Sequence, residues 1–228
     1  MPLIHVTRYT PITYTGDQKQ AWFSRYLTPP LRELLDRGPA AKRSLDEPRE
    51  AYACILFTDI RGFTELSRTI RPNALFGALD RQVGPQSELV DYYGGYVDNF
   101  TGDGVMAVFE GDGIEDNACR CAIEVAEVAQ SQSRYGGDGQ VPVGVGLHVG
   151  DVAMGSVGCA NRSTYTSVGQ TVNVAARLCD RASGPEVLTT QTMRDAVADP
   201  SGMNFEAYAD QAPPGVDDGL GLYRLRRR

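Results

Sequence analysis

The chain has 228 residues, of which 42% are hydrophobic and 22% are charged, with a formal net charge of −7. This composition supports a buried core and excludes a largely disordered chain. The acidic balance argues against nucleic acid as a partner, and no apolar run approaches the ~20 residues of a membrane span, so we expect a cytoplasmic protein without a membrane partner.

Residues 1–50 differ from the rest of the chain because they carry six of its 13 prolines. One amphipathic stretch, from Gln18 to Leu35, suits a helix that is broken at Pro29–Pro30. We therefore predict that residues 1–50 form an N-terminal arm. The arm packs on the domain formed by residues 51–228 or on a second copy of it.

From residue 51 onward the pattern is that of an α+β domain. The predicted elements in order are a strand (53–58), helices starting at 62 and spanning 73–93, a hairpin (96–100 and 105–109), a helix (114–129), a second hairpin (141–148 and 151–157), a helix (171–182), a strand (186–190), a short helix (192–198) and a last strand (220–225). The order βαββαβ, followed by further α and β pieces, predicts a ferredoxin-like sandwich with its helices on one sheet face.

Counts of reactive residue types exclude several kinds of active site. The chain has only two histidines, and its five cysteines contain no C-x-x-C pair. These counts argue against a Ser-His-Asp triad or a zinc site, and reduced, packed thiols are expected. The only lysines are Lys19 and Lys42, so chemistry in the main domain depends on carboxylates, arginines or bound metal.

Two aspartates lie where a fold of this kind brings strand ends together. Asp59 ends the first predicted strand, and Asp103 lies in the turn of the first hairpin. Neighbouring carboxylates form a hard-oxygen site of the type that holds Mg²⁺ or Mn²⁺. A helix cap and an ordinary Asp-Gly turn are the commoner uses of such residues, so spacing alone favours those roles.

Two further segments have the residues to bind phosphate and ribose. Arg61, Gly62, Phe63 and Thr64 begin a helix directly after Asp59, and free backbone N–H groups at a helix start favour phosphate oxygens. Farther along, Asn173 and Arg177 are four residues apart and project from one face of a predicted helix. An amide and a guanidinium in that arrangement can bind a ribose and a phosphoryl group.

Four strings in this order resemble the catalytic domain of class III nucleotide cyclases. They are Phe57-Thr58-Asp59-Ile60-Arg61-Gly62-Phe63-Thr64, Gly102-Asp103-Gly104-Val105-Met106-Ala107-Val108-Phe109, Gly146-Leu147-His148-Val149-Gly150-Asp151-Val152 and Val172-Asn173-Val174-Ala175-Ala176-Arg177-Leu178. The resemblance runs from about residue 51 to residue 198. Four ordered motifs make it far more specific than any one of them.

The resemblance implies a head-to-tail homodimer with active sites at the subunit interface. Asp59, Ile60 and Asp103 of one subunit would hold two Mg²⁺ or Mn²⁺ ions, while Asn173 of the other subunit would orient the ribose and Arg177 would stabilise charge on the α-phosphate. The ribose 3′-hydroxyl attacks the α-phosphorus and pyrophosphate leaves. No histidine base is needed, and His148 is interpreted as a packed strand residue.

The chain departs from the family at the positions that usually read a purine base. Asn99 replaces the usual lysine, and Thr166 occupies the second position. A third family lysine, which contacts the terminal phosphates, is also absent, and Arg61 and Arg162 are its candidate replacements.

Three explanations of these departures stay open: relaxed recognition of ATP, recognition of uracil or cytosine, and loss of activity with survival as a nucleotide-binding regulator. The amide of Asn99 and the hydroxyl of Thr166 can each donate and accept hydrogen bonds, which suits a pyrimidine edge. In this the chain resembles the Pycsar-type pyrimidine cyclases of bacterial antiphage defence. The resemblance implies cyclic UMP or cyclic CMP as product and a downstream cyclic-nucleotide receptor.

Overall fold

A computed structural model describes residues 26–37, 47–135, 142–159, 161–209, 213–216 and 219–228. Its helices are α1 Pro29–Asp36, α2 Phe63–Thr69, α3 Pro72–Tyr92, α4 Ile114–Tyr135, α5 Gln170–Arg181 and α6 Gln191–Ala196. Its strands are β1 Arg49–Ile60, β2 Tyr96–Thr101, β3 Gly104–Phe109, β4 Val143–Cys159, β5 Arg162–Val168, β6 Glu186–Thr190, β7 Met203–Ala207 and β8 Leu222–Arg227. The part of the predicted N-terminal helix that precedes residue 26 lies outside the described residues.

The strands form one sheet in the order β2-β3-β1-β4-β6-β8-β7, and β5 pairs with β4. Strands β1 to β4 are antiparallel neighbours in the order β2-β3-β1-β4. With α3 between β1 and β2 and α4 between β3 and β4, this is the ferredoxin-like βαββαβ arrangement. The predicted α+β fold class is confirmed.

The helices cover both faces of the sheet, whereas the sequence predicted helices on one face. Alternate residues of β1 belong to two separate apolar clusters because successive side chains of a strand point to opposite faces. One cluster contains residues of α3 and α4. The other, on the face that we call the α5 face, contains Ala175 of α5, and Leu31 and Leu34 of α1 pack against it.

Glycines of β4 explain how α5 lies so close to the sheet. A Cβ at Gly146 would lie 2.2 Å from the carbonyl oxygen of Ala175 and from the backbone nitrogen of Cys179. A Cβ at Gly150 would lie 2.9 Å from the Thr171 hydroxyl. Side chains at these positions would push the helix away from the sheet. The close approach of α5 to the sheet therefore depends on Gly146 and Gly150 of β4.

The turn predicted between residues 148 and 151 in the second hairpin is wrong. β4 continues without a break from Val143 to Cys159, and its hairpin partner is β5. β1 pairs with β4 through Tyr52 and Asp151 and through Ala53 and Gly150, so the ladder passes straight through the expected turn. Gly150 makes room for α5 and does not form a turn. The sequence suggested a turn there because glycine followed by aspartate is a common turn pair.

Cys54, Cys119, Cys121 and Cys179 are buried and Cys159 is exposed, and all five thiols are free. Among the described helices, none has the length and apolar character to cross a membrane.

His148 is buried in β4 with 9% of its surface exposed, and its Nδ1 lies 2.9 Å from the Thr190 hydroxyl. That hydroxyl also accepts the backbone N–H of Met193 at 3.3 Å. Burial lowers the pKa of His148 from 6.5 to about 4. The native imidazole is therefore neutral at pH values where the unfolded one is already protonated.

This difference predicts an acid-sensitive contribution to stability. Because the native pKa of His148 lies below the unfolded value, the contribution is complete above pH 6.5 and is lost as the pH falls through 4. The loss amounts to about 3 kcal/mol. We expect urea unfolding at pH 7.5 and pH 4 to show this extra loss in the wild type but not in His148→Asn, which does not titrate. An equal loss in both proteins would contradict the assignment.

Candidate active site

Asp59 and Asp103 are brought together by the pairing of β1 with β3. The register places Phe57 opposite Met106, and the backbone N–H of Val105 donates to the Thr58 hydroxyl at 2.9 Å. A Cβ at Gly104 would lie 1.8 Å from the carbonyl oxygen of Thr58, so only glycine lets the β2–β3 turn approach the end of β1 this closely. The turn that carries Asp103 therefore lies against the end of β1.

The two carboxylates interact electrostatically. Burial raises the pKa of Asp103, and the negative charge of Asp59 raises it further. The side chains are close enough for a hydrogen bond between them to contribute to the same shift. A carboxylate whose charge is disfavoured by burial and by a neighbouring negative charge is stabilised by a cation at the same place.

The positively charged side chain of Arg61 lies beside Asp59. Its guanidinium forms an ion pair with Asp59 and donates to the carbonyl oxygen of Cys179 in α5. Its backbone N–H donates to the carbonyl oxygen of Pro142 at 2.8 Å. The guanidinium lies over Gly144, where a Cβ would come within 2.3 Å of Nη2. Arg61 is therefore held between β1, β4 and α5, which limits its use as a free phosphate ligand.

The donor set fits Mg²⁺ or Mn²⁺ better than a softer metal. Among the residues the structure describes, no group of three or more histidine, cysteine, aspartate or glutamate side chains could hold a metal ion. Two carboxylates leave most coordination positions for water and substrate oxygens, as is usual for Mg²⁺. The side chain of Ile60 is 2% exposed and belongs to the core, so this residue has only its main-chain oxygen to offer a metal.

The predicted phosphate-binding segment forms the start of a short helix. Gly62 precedes α2 with a φ of 81°, a left-handed conformation that favours glycine, and no side chain caps the helix. The carbonyl of Gly62 accepts the N–H of Leu66 at 3.0 Å. Phe63 packs partly into the core and Thr64 is exposed. The first N–H groups of α2 have no partner within the helix, and Asp59 lies near the end of β1, which precedes α2 in the chain.

Asn173 and Arg177 lie on the side of α5 that faces away from the sheet. The buried residues of this helix are Thr171, Val174, Ala175, Leu178 and Cys179. Asn173 is exposed, and the guanidinium of Arg177 packs against the backbone of Gly215. Within the described ranges, neither residue forms a hydrogen bond or ion pair with Asp59 or Asp103. Within one copy of the chain, this pair of residues is therefore not bonded to the pair of acids in the described ranges.

The candidate base-reading positions come together, but through a residue that the sequence analysis did not single out. A bulge in β2 between Val97 and Asn99 shifts the register, and Asn99 is exposed. Thr166 of β5 donates its hydroxyl proton to Asp98 at 2.5 Å. Burial raises the pKa of Asp98 to about 6. The only available signal was its position next to Asn99, because the bulge itself leaves no mark in the sequence.

Arg162, the other candidate for the missing phosphate ligand, begins β5 and is exposed. It pairs with Cys159 at the far end of the β4–β5 ladder from Thr166 and Ser167. Among the described residues, no ion pair or side-chain hydrogen bond places Arg162 near Asp59 or Asp103.

The chain is similar in sequence to a described protein family and to curated proteins. The family model described as "Adenylate and Guanylate cyclase catalytic domain" matches residues 45–212. An adenylate cyclase from Anabaena cylindrica is 28% identical over 214 residues, which cover 90% of this chain and 41% of that protein. The chain thus spans less than half the length of this curated relative.

Solved structures show the same fold. The adenylyl cyclase CyaB from P. aeruginosa has a TM-score of 0.71 and 26% identity, over 78% of this chain and 95% of that chain. A bacterial light-regulated adenylyl cyclase has a TM-score of 0.75 over 92% of this chain and 61% of that chain, and its 22% identity makes it a likeness of fold alone.

Proposed function

Because this chain belongs to the adenylate and guanylate cyclase catalytic-domain family, we propose that it converts a nucleoside triphosphate to a 3′,5′-cyclic nucleotide and pyrophosphate. The observation that carries the proposal is the pairing of Asp59 with Asp103 at the β1–β3 edge. This site suits a divalent cation and substrate phosphates. When bound, the metal lowers the pKa of the attacking hydroxyl and offsets charge on the phosphates.

The chain's own residues have separate roles in this scheme. Asp59 and Asp103, with the main-chain oxygen of Ile60, would hold Mg²⁺ or Mn²⁺. The backbone N–H groups after Gly62 bind terminal phosphate oxygens. We place Arg61 at the edge of this phosphate site, where its ion pair with Asp59 would compete with a cation for that carboxylate.

We also propose that the functional unit is a head-to-tail homodimer. Asn173 and Arg177 lie on the outward side of α5, without a hydrogen bond or ion pair to either acid of the same copy in the described residues. A second copy supplies them: Asn173 orients the ribose, and Arg177 stabilises charge that develops on the α-phosphate. The arm formed by residues 1–50 is proposed to pack on the domain, since Leu31 and Leu34 of α1 contact the cluster on the α5 face.

The base is proposed to be a pyrimidine, read by Asn99 and Thr166, with ATP as the alternative. The absence of a lysine at position 99 supports a pyrimidine, and the naming of the curated relatives as adenylate cyclases supports ATP. A pyrimidine product would act as a second messenger, with a cyclic-nucleotide receptor as the downstream partner in antiphage defence.

Turnover of the four ribonucleoside triphosphates tests this proposal. Purified protein is incubated with each one and with Mn²⁺ or Mg²⁺, and the products are identified by mass. We expect a cyclic nucleotide with release of pyrophosphate, and none in the presence of a chelator. Cyclic AMP alone would remove the pyrimidine preference. Tight binding of nucleotide without pyrophosphate release would instead indicate a regulatory nucleotide-binding module.

Gly215 provides a test of the proposed position of Arg177. Gly215 and Gly202 both have a φ of 78°, but a Cβ at Gly215 would lie 1.7 Å from Nη1 of Arg177, whereas a Cβ at Gly202 meets nothing within 4 Å. Because the guanidinium is the flexible end of a side chain, it moves. We expect Gly215→Ala to lower kcat by about 10- to 100-fold, since small displacements of positioning groups have effects of this size.

Gly202→Ala is the matched control for this substitution because it has the same unfavourable backbone conformation. Both variants are expected to lose about 1 kcal/mol of stability. Only Gly215→Ala is expected to lose turnover. Equal kcat values for the two variants would show that the Gly215 contact does not position Arg177 for catalysis.

A further inference from the structure

A buried carboxylate that the proposed reaction does not use lies beside the proposed base site. Asp98 is 7% exposed, and its Oδ2 accepts the hydroxyl proton of Thr166 at 2.5 Å. Its Oδ1 is buried and has no hydrogen-bond partner among the described residues. Burial raises the pKa of Asp98 to about 6, so the group is mostly ionised above neutral pH and can only accept hydrogen bonds.

The hydroxyl of Thr166 is consequently limited in what it can offer to a ligand. A threonine hydroxyl has one proton and two lone pairs. Since Thr166 is the one side-chain donor to Asp98 in the described part of the chain, withdrawing its proton would leave a buried carboxylate without a donor. The Thr166 hydroxyl therefore keeps donating its proton to Asp98, and only the lone pairs of its oxygen remain for a ligand.

Thr166 is in a position to meet a ligand because it is only partly buried. It lies on β5, which is joined to β2 at Asp98 by this hydrogen bond, and Asn99 next to Asp98 is exposed. A group that contacts the Thr166 oxygen must be a hydrogen-bond donor. Cytosine and adenine present an amino group where uracil and hypoxanthine present a carbonyl oxygen.

We propose that Asp98 is a positioning residue that fixes the Thr166 hydroxyl as an acceptor, so that the site selects amino-bearing bases over their carbonyl counterparts. The inference rests on the proposed function because it requires Thr166 to contact the base. It also refines the pyrimidine proposal: among pyrimidines, cytosine is favoured over uracil. Asn99, which can both donate and accept, does not impose this selection alone.

Binding of nucleotides that cannot cyclise tests the inference apart from turnover. The 3′-deoxy forms of CTP, UTP, ATP and ITP lack the attacking hydroxyl, and each amino–carbonyl pair is matched in size. We expect calorimetric titration of the full chain at pH 8 with Mn²⁺ to give tighter binding of the CTP and ATP analogues. The expected preference is about 10-fold or more in each pair, as for a hydrogen bond that one partner lacks.

Variants of Asp98 and Thr166 distinguish the effect of the hydrogen bond between them from an effect of side-chain packing. Asp98→Asn introduces an amide that can donate to the Thr166 oxygen and release the hydroxyl proton. We expect both preferences to fall toward unity, with binding of the UTP analogue improved. Asp91→Asn, which removes the same charge at an exposed position of α3, is the control and is expected to retain both preferences. Thr166→Ser retains them and Thr166→Val abolishes them, which tests the inference even if Asp98→Asn fails to fold.

The outcomes distinguish this inference from the proposed function. Preference for the carbonyl member of either pair, or preferences that survive Thr166→Val or a folded Asp98→Asn, would overturn the inference while leaving cyclase activity intact. Binding with the expected preferences but without turnover of the ordinary triphosphates would overturn the proposed function alone. Absence of binding by all four analogues would overturn the inference, and it would overturn the proposed function as well only if the ordinary triphosphates also give no cyclic product.

Discussion

Asp103→Ala is expected to lower the rate of cyclic-nucleotide formation by about 1,000-fold or more. A catalytic metal supplies several kcal/mol of transition-state stabilisation, and each 1.36 kcal/mol corresponds to a factor of ten in rate. Asp59→Ala is expected to have an effect of similar size. The rates are measured by mass detection of the cyclic product under saturating Mn²⁺.

Stability measurements distinguish a loss of catalysis in Asp103→Ala from a loss of folding. Burial and the charge of Asp59 raise the pKa of Asp103, so the ionised carboxylate is disfavoured in the native state. Removing it is therefore expected to leave the unfolding temperature unchanged or higher. Asp112→Ala, which removes an exposed loop carboxylate, is the matched control and is expected to keep full activity. Full activity in both Asp59→Ala and Asp103→Ala would contradict the two-acid site.

Arg177→Ala is the second substitution with a large expected effect. An arginine that stabilises charge on a transferring phosphoryl group contributes about 10³- to 10⁵-fold in kcat. The side chain lies on the outward face of α5, so its loss should affect folding little. We expect kcat to fall with little change in KM. Arg177→Lys is expected to recover only part of the rate because lysine lacks the planar, two-pronged donor geometry.

A comparison with Arg181→Ala gives the control for this experiment. Arg181 is an exposed arginine in the last turn of the same helix. We expect Arg181→Ala to keep its turnover within a few-fold of wild type, since surface substitutions usually have small effects. A mild effect of Arg177→Ala, comparable to that of Arg181→Ala, would exclude Arg177 from the reaction.

Strong periodicity explains which parts of the fold were predictable. The strands and helices from β1 to α4 have apolar patterns that match their periods, and the predicted elements coincide with them to within a few residues, except that α4 continues to Tyr135, beyond its predicted end at residue 129. The proximity of Asp59 and Asp103 followed from the ferredoxin-like strand order, since the first and third strands are neighbours in that topology. Local pattern and topology together were enough for this part of the site.

Other features depend on tertiary contacts that leave no periodic signal. β5 was missed because its residues, Arg162 to Val168, are mostly hydroxyl-bearing and resemble a loop. Gly150 was assigned to a turn, although it makes room for α5. Asp98 was overlooked because a bulge in β2 turns it toward Thr166. The sequence therefore identified the acids but not the residue that holds the candidate base contact.

Subunit complementation tests most directly whether each active site combines residues of two copies. Asp103→Ala and Arg177→Ala chains, each inactive alone, are unfolded, mixed in equal amounts and refolded, and exchange is verified with differently tagged chains. In a symmetric dimer, half of the assemblies are then mixed and each has one intact site, so about a quarter of wild-type turnover should return. Mixed dimers that form without any recovery of turnover would contradict the shared site.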